Sequence, residues 1–147
     1  MLNKINSKFT QVGTKLQDVS LLLTRFILAY GFFGPALMKW KDMHAVGDWF
    51  KDLGYPMPYL NAYMAGTTEM LGVILLVLGL GTRIISTLLI FVMFVAITTV
   101  HLRNGFQAGN NGFEIPLYYA IMLLGLVAFG AGKFSFDNFL KKSNKDS

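Results

Sequence analysis

The chain contains no cysteine. That excludes disulfides, thiolate metal sites, iron–sulfur ligation and a persulfide carried on a protein thiol. It has 2 histidines, His44 and His101, with no HExxH motif, so a bis-histidine haem and a zinc-protease site are both disfavoured. The methionines form no MxxM cluster of the kind a soft-metal path would need. Charge is scarce at 14% of residues, with 8 Asp+Glu against 13 Lys+Arg. The basic excess lies in separate clusters rather than on one continuous face with stacking groups, which excludes a nucleic-acid partner.

Long apolar runs dominate what remains. Hydrophobic residues make up 54% of the 147-residue chain, and mean hydropathy is +0.50. The runs are 21–38, 60–80, 84–100 and 115–131. Each has the length of a helix that crosses a bilayer, whose hydrocarbon core is about 30 Å thick. The sequence therefore predicts an all-α integral membrane protein, a four-helix bundle with no room for a separate soluble domain. Leu2, Ile5, Phe9, Val12, Leu16 and Val19 recur at helical spacing among Lys4, Lys8 and Lys15, which predicts an N-terminal interfacial amphipathic helix. The expected division is 1–20 for that helix, 21–137 for the four-span domain and 138–147 for a tail. Lys4, Lys8, Lys15, Arg83, Lys133, Lys141, Lys142 and Lys145 fall on one side of this topology, which predicts cytoplasmic termini. The first run is broken by Arg25 and followed by no small-residue cleavage site, so it is expected to stay as an anchor.

Charges inside such runs carry the functional signal. Glu69 is the sole charged residue between Leu60 and Leu80, and an acid at that depth needs a partner. Arg25 and Lys39 lie two heptads apart on one face of the first run. The third run ends at His101 and the fourth starts after Glu114, with Tyr118 one turn on. Alternating helix directions place Lys39, His101 and Glu114 near one rim, with Glu69 deeper, and Arg25 and Arg83 toward the other side near Asp137. The expected pairings are Glu69 with Arg25 or Lys39, Glu114 with His101 or Lys39, and Arg83 with Asp137 as a structural ion pair. Two roles remain open for Glu69: a proton relay or quinone partner, and a buried ion pair that fixes bundle register. His101 with Glu114 and Glu69 has the donors of a metal site, but a histidine hydrogen-bonded to a carboxylate is the preferred reading, and no metal is assigned.

Arg25, Lys39, Glu69 with Gly72, the LGLGTR turn, Met93, His101, Glu114 and the closing GAGKFSFD stand in an order and spacing that resembles the DoxX family of small four-helix bacterial membrane proteins. The resemblance covers nearly all of 21–137; GAG stands where members often carry a proline-containing turn. It implies a multi-pass protein of the bacterial inner membrane and an oxidoreductase-type function, the related DoxD proteins being linked to thiosulfate:quinone oxidoreductase. Under that implication Glu69, His101 and Glu114 are the candidate catalytic residues. Arg25, Lys39 and Tyr118 would bind the ligand. No cofactor is fixed by the sequence, although a quinone fits this reading. Electrons would then come from a redox partner subunit, within a lipid bilayer and with a homo-oligomer as a further expectation. The competing reading is a non-enzymatic membrane scaffold or a small-solute channel or transporter.

Overall fold

The computed structural model describes residues 2–143, and their side chains from residue 10 onward except 11 and 15. Among the described residues the secondary structure is helical throughout. The helices are α1 (Leu2–Lys41), α2 (Met43–Asp52), α3 (Pro58–Leu78), α4 (Thr82–Ala96), α5 (Glu114–Phe129) and α6 (Phe136–Ser143). A π-helical turn, Ile97–His101, continues α4 into a 3₁₀ turn, Leu102–Asn104.

Three helical stretches are long and apolar enough to cross a membrane: Val12–Lys41, Pro58–Leu78 and Thr82–Asn104. The fourth expected run forms α5, apolar but shorter at 16 residues. The N-terminal segment is not set off from the first run by a break. α1 is one helix of 40 residues, about 60 Å long at the usual rise. Of the expected amphipathic stripe, Val12, Leu16 and Val19 are exposed. The side chains of Leu2, Ile5, Phe9, Lys4, Lys8 and Lys15 lie outside the described residues, as does Lys145.

Packing joins α1 to α3, α3 to α4, α4 to α5 and α5 back to α1, which closes a ring of helices. Its core draws Leu28 and Phe32 from α1, Leu76 from α3, Leu89 from α4, and Leu123 and Leu126 from α5. The opposite faces present large apolar side chains outward, among them Ile84, Phe91, Leu124 and Phe129, the surface a lipid solvent favours. α2 lies against α3 at one end through Met43, Phe50 and Ala62. Asp42 starts α2 by accepting from the Ala45 amide at 2.9 Å. α2 ends at Asp52, and past Leu53 Gly54 turns the chain at φ 80° ahead of Pro56 and Pro58.

Close approach explains two glycines. A Cβ on Gly31 would run into the Tyr119 hydroxyl and ring, so the end of this α5 side chain lies directly on the α1 backbone. Gly79 caps α3 at φ 68°, a conformation disfavoured for other residues, and the Arg25 guanidinium packs where its Cβ would be.

Candidate functional site

The two ends of the ring use their charges differently. At the end reached by Lys39, Glu69 is 3% exposed on the small-residue face of α3, beside buried Gly66 and Gly72. Lys39 Nζ reaches its two carboxylate oxygens at 2.7 and 3.0 Å. The Lys39 side chain keeps 20% of its exposure, so the pair has one sealed and one open member. Trp40 Nε1 donates to the Gly66 carbonyl at 3.2 Å and holds the last turn of α1 against α3.

Beside this pair lies a cavity of about 580 Å³, mostly apolar in its lining, with walls from α1, α3, α4, α5 and the α2 segment. Lys39, Glu69 and His101 all line it. His101 Nδ1 lies 2.8 Å from the Asn111 carbonyl. A carbonyl only accepts, so Nδ1 carries the proton, and in the neutral ring Nε2 keeps its lone pair. Asn111 sits at φ 57°, a backbone state few side chains tolerate but asparagine does. The π turn adds one residue to the helical circuit just before His101 and brings Thr99 and Val100 onto the cavity wall. Such turns recur at functional sites. Tyr55 donates to Thr99 Oγ1 at 2.6 Å, and Thr99 donates on to the Val95 carbonyl at 2.7 Å.

Several expected pairings are corrected by this geometry. Glu114 does not pair with His101 or Lys39. Its carboxylate accepts from the Ala108 amide at 2.9 Å and from the Tyr118 hydroxyl at 3.1 Å, since it lies at the first turn of α5 where loop amides are within reach. Neither Glu114 nor Tyr118 lines the cavity. Arg25 does not neutralise Glu69. It is fully buried toward the opposite end, where Nη1 donates to the Leu76 carbonyl at 3.3 Å and Nη2 to the Phe134 carbonyl. These are the carbonyls left open at the end of α3 and in the turn before α6. Arg83 and Asp137 form no ion pair. Arg83 donates to the Ala128 carbonyl at 3.1 Å, while Asp137 accepts from the Gly81 and Thr82 amides at 2.8 and 3.0 Å. Those amides are the open donors at the start of α4. Among the described residues the ion pairs are Lys39–Glu69 and Lys133–Asp18, and no three His, Asp or Glu groups converge as metal ligands do.

The contacts that sequence reasoning did not foresee are Tyr55 with the Thr99 hydroxyl, the Asn111 carbonyl behind His101, and the Tyr119 ring against Gly31. Gly31, a small residue within the first run, was the signal available for a close contact on α1.

The DoxX family profile matches residues 20–102, from the turn before Arg25 to the residue after His101. The chain belongs to the DoxX family. A Haemophilus influenzae protein whose name states no function is 35% identical over 132 residues, covering 84% of this chain and 85% of its own. A second from the same organism, likewise without a functional name, is 40% identical over 140 residues, 87% and 96% of the two chains. The Bacillus subtilis protein named "Putative oxidoreductase CatD" is 31% identical over 129 residues, 88% and 92%. No solved structure matches. As a DoxX protein with three helices able to cross a bilayer, the chain is a membrane protein.

Proposed function

We propose that this DoxX protein crosses the bacterial inner membrane four times with both termini in the cytoplasm, and that the cavity beside Lys39 and Glu69 binds a quinone head group or a similar small ligand. In this reading it serves as a subunit or accessory of an oxidoreductase in quinone- or sulfur-linked metabolism. The observation that carries the reading is the Lys39–Glu69 pair set at the wall of a cavity that is otherwise mostly apolar. Its volume is in the range of small-molecule sites, about 300–1,000 Å³. Lys39 would polarise a ligand oxygen, and Glu69 and His101 Nε2 would exchange its protons. Electrons would come from a partner subunit, since the chain supplies no redox-active side chain of its own beyond tyrosine and tryptophan. The oxidoreductase class is supported by the name of the Bacillus relative.

The test is extraction of the purified full-length protein followed by mass spectrometry for quinone, with Glu69→Gln assayed for membrane redox activity. Bound quinone that is lost with Glu69→Gln, together with reduced activity, supports the reading. No quinone and unchanged activity sink it. A non-enzymatic scaffold is the second reading, favoured by the way Arg25 and Asp137 engage backbone groups that hold the helix ends together. That reading expects Glu69→Gln to change thermal stability and leave electron transfer alone.

A further inference from the structure

At the end of the ring opposite Glu69, a second cavity of about 500 Å³ opens between the start of α4, the turn after α5, and α6. Its lining contains Arg83, Lys133 and Lys141 against Asp18 and Asp137. Both acids are engaged: Asp137 with the Gly81 and Thr82 amides, and Asp18 with Lys133, through its ammonium at 3.0 Å and its amide at 3.0 Å. Arg83 gives one donor to a carbonyl, which leaves its charge uncancelled. No ion pair to Arg83 or Lys141 forms among the described residues. With Lys133 and Asp18 paired, the cavity offers Arg83 and Lys141 against the one carboxylate of Asp137, whose oxygens are turned to the Gly81 and Thr82 amides. That is an excess of one positive charge, and it includes a guanidinium suited to bidentate phosphate contact.

Its outer wall is of another kind. Ile84 and Phe129, both lining residues, are 73% and 65% exposed. Phe136, Phe139 and Leu140 on α6 are exposed as well. A free phosphate has no use for such a wall, whereas a phospholipid places its acyl chains against it.

We propose that this cavity binds the phosphate head group of an anionic phospholipid, held by Arg83 and Lys141, with its acyl chains along Ile84 and Phe129. The proposal rests on the membrane reading of α4 and α5 and is independent of any redox role. Basic recesses between membrane helices are known to hold such head groups, and each surface cation contributes about fivefold in affinity for anionic lipid.

The test uses the full-length protein in detergent at about 150 mM salt, titrated with dioleoylphosphatidylglycerol, dioleoylphosphatidylcholine or inorganic phosphate. Thermal unfolding and native mass spectrometry are the readouts. Phosphatidylglycerol is expected to raise the unfolding temperature and remain bound in a defined copy number, with phosphatidylcholine doing neither. Arg83→Gln and Lys141→Gln are each expected to weaken retention about fivefold, and Lys51→Gln, at the other end, to leave it unchanged. Lys141→Gln changes an exposed side chain on α6 and keeps the test available should Arg83→Gln fold poorly. Equal retention of both lipids, or a phosphatidylglycerol effect untouched by both substitutions, overturns the proposal. So does an effect reproduced in full by inorganic phosphate, which would make the ligand a free anion. Failure to retain any lipid at all overturns it as well.

Discussion

Lys39 and Glu69 stand 30 residues apart in the chain, yet the ammonium bridges both carboxylate oxygens across the α1–α3 contact. Removing Lys39 strands the sealed Glu69 carboxylate in a low-dielectric site, at a cost of about 3 kcal/mol. Lys39→Met is therefore expected to lower the unfolding temperature in detergent, and by more than Glu69→Met, which leaves only the half-open lysine. The double substitution Lys39→Met with Glu69→Met should recover most of that loss, because two apolar side chains carry no stranded charge. Ligand binding, if it uses this pair, stays lost in the double variant. A thermodynamic cycle on the four proteins measures both quantities, and strict additivity would deny the coupling.

Arg25 is expected to matter for stability and not for the cavity beside Glu69. Arg25→Met leaves the Leu76 and Phe134 carbonyls without their side-chain donors, a loss of about 2 kcal/mol. Hydrogen exchange should quicken around Gly79 and Asp137, whose backbones bond to each other at 2.9 Å. Ligand affinity at the Lys39 end should hold within a factor of about 2 once folded protein is compared.

Gly31→Ala drives a methyl group into Tyr119. Overpacking of this sort costs about 1–3 kcal/mol. Tyr119→Ala on the same chain should return part of it by opening the space. Calorimetry of the single and double variants decides the matter, and a neutral Gly31→Ala would mean that α1 and α5 do not approach as described.

His101→Phe keeps ring volume but removes both nitrogens. Stability should change by no more than about 1.5 kcal/mol through loss of the Asn111 bond. If Nε2 faces a ligand, affinity for a short-chain quinone should fall about tenfold, the worth of one hydrogen bond at the strong end. Unchanged affinity in an equilibrium titration would remove His101 from the site.

Apolar periodicity made the helices legible because lipid-length runs have few alternatives. Runs 60–80, 84–100 and 115–131 correspond to α3, α4 with its π turn, and α5. The Lys39–Glu69 pairing was one of two that helix direction allowed. What the sequence concealed was the use of backbone as partner. Arg25, Asp137, Arg83 and His101 all bond to main-chain groups, and a main-chain amide or carbonyl has no letter in a sequence. Matching acids to bases therefore misassigned Arg25 and Asp137. Glu114 was misplaced for the same reason, since the Ala108 amide it meets belongs to a loop with no periodic signal.

The Phe134 carbonyl that receives Arg25 lies 109 positions further along the chain. A ribosome therefore delivers the arginine long before its acceptor exists. Until then the Leu76 carbonyl, 51 positions on, is the acceptor available to it, and the second donor of the guanidinium must be met by water or lipid phosphate. A chain truncated before Phe134 therefore keeps a buried guanidinium with one of its two backbone acceptors missing, and the first helix is held in place only once the last turn has been made.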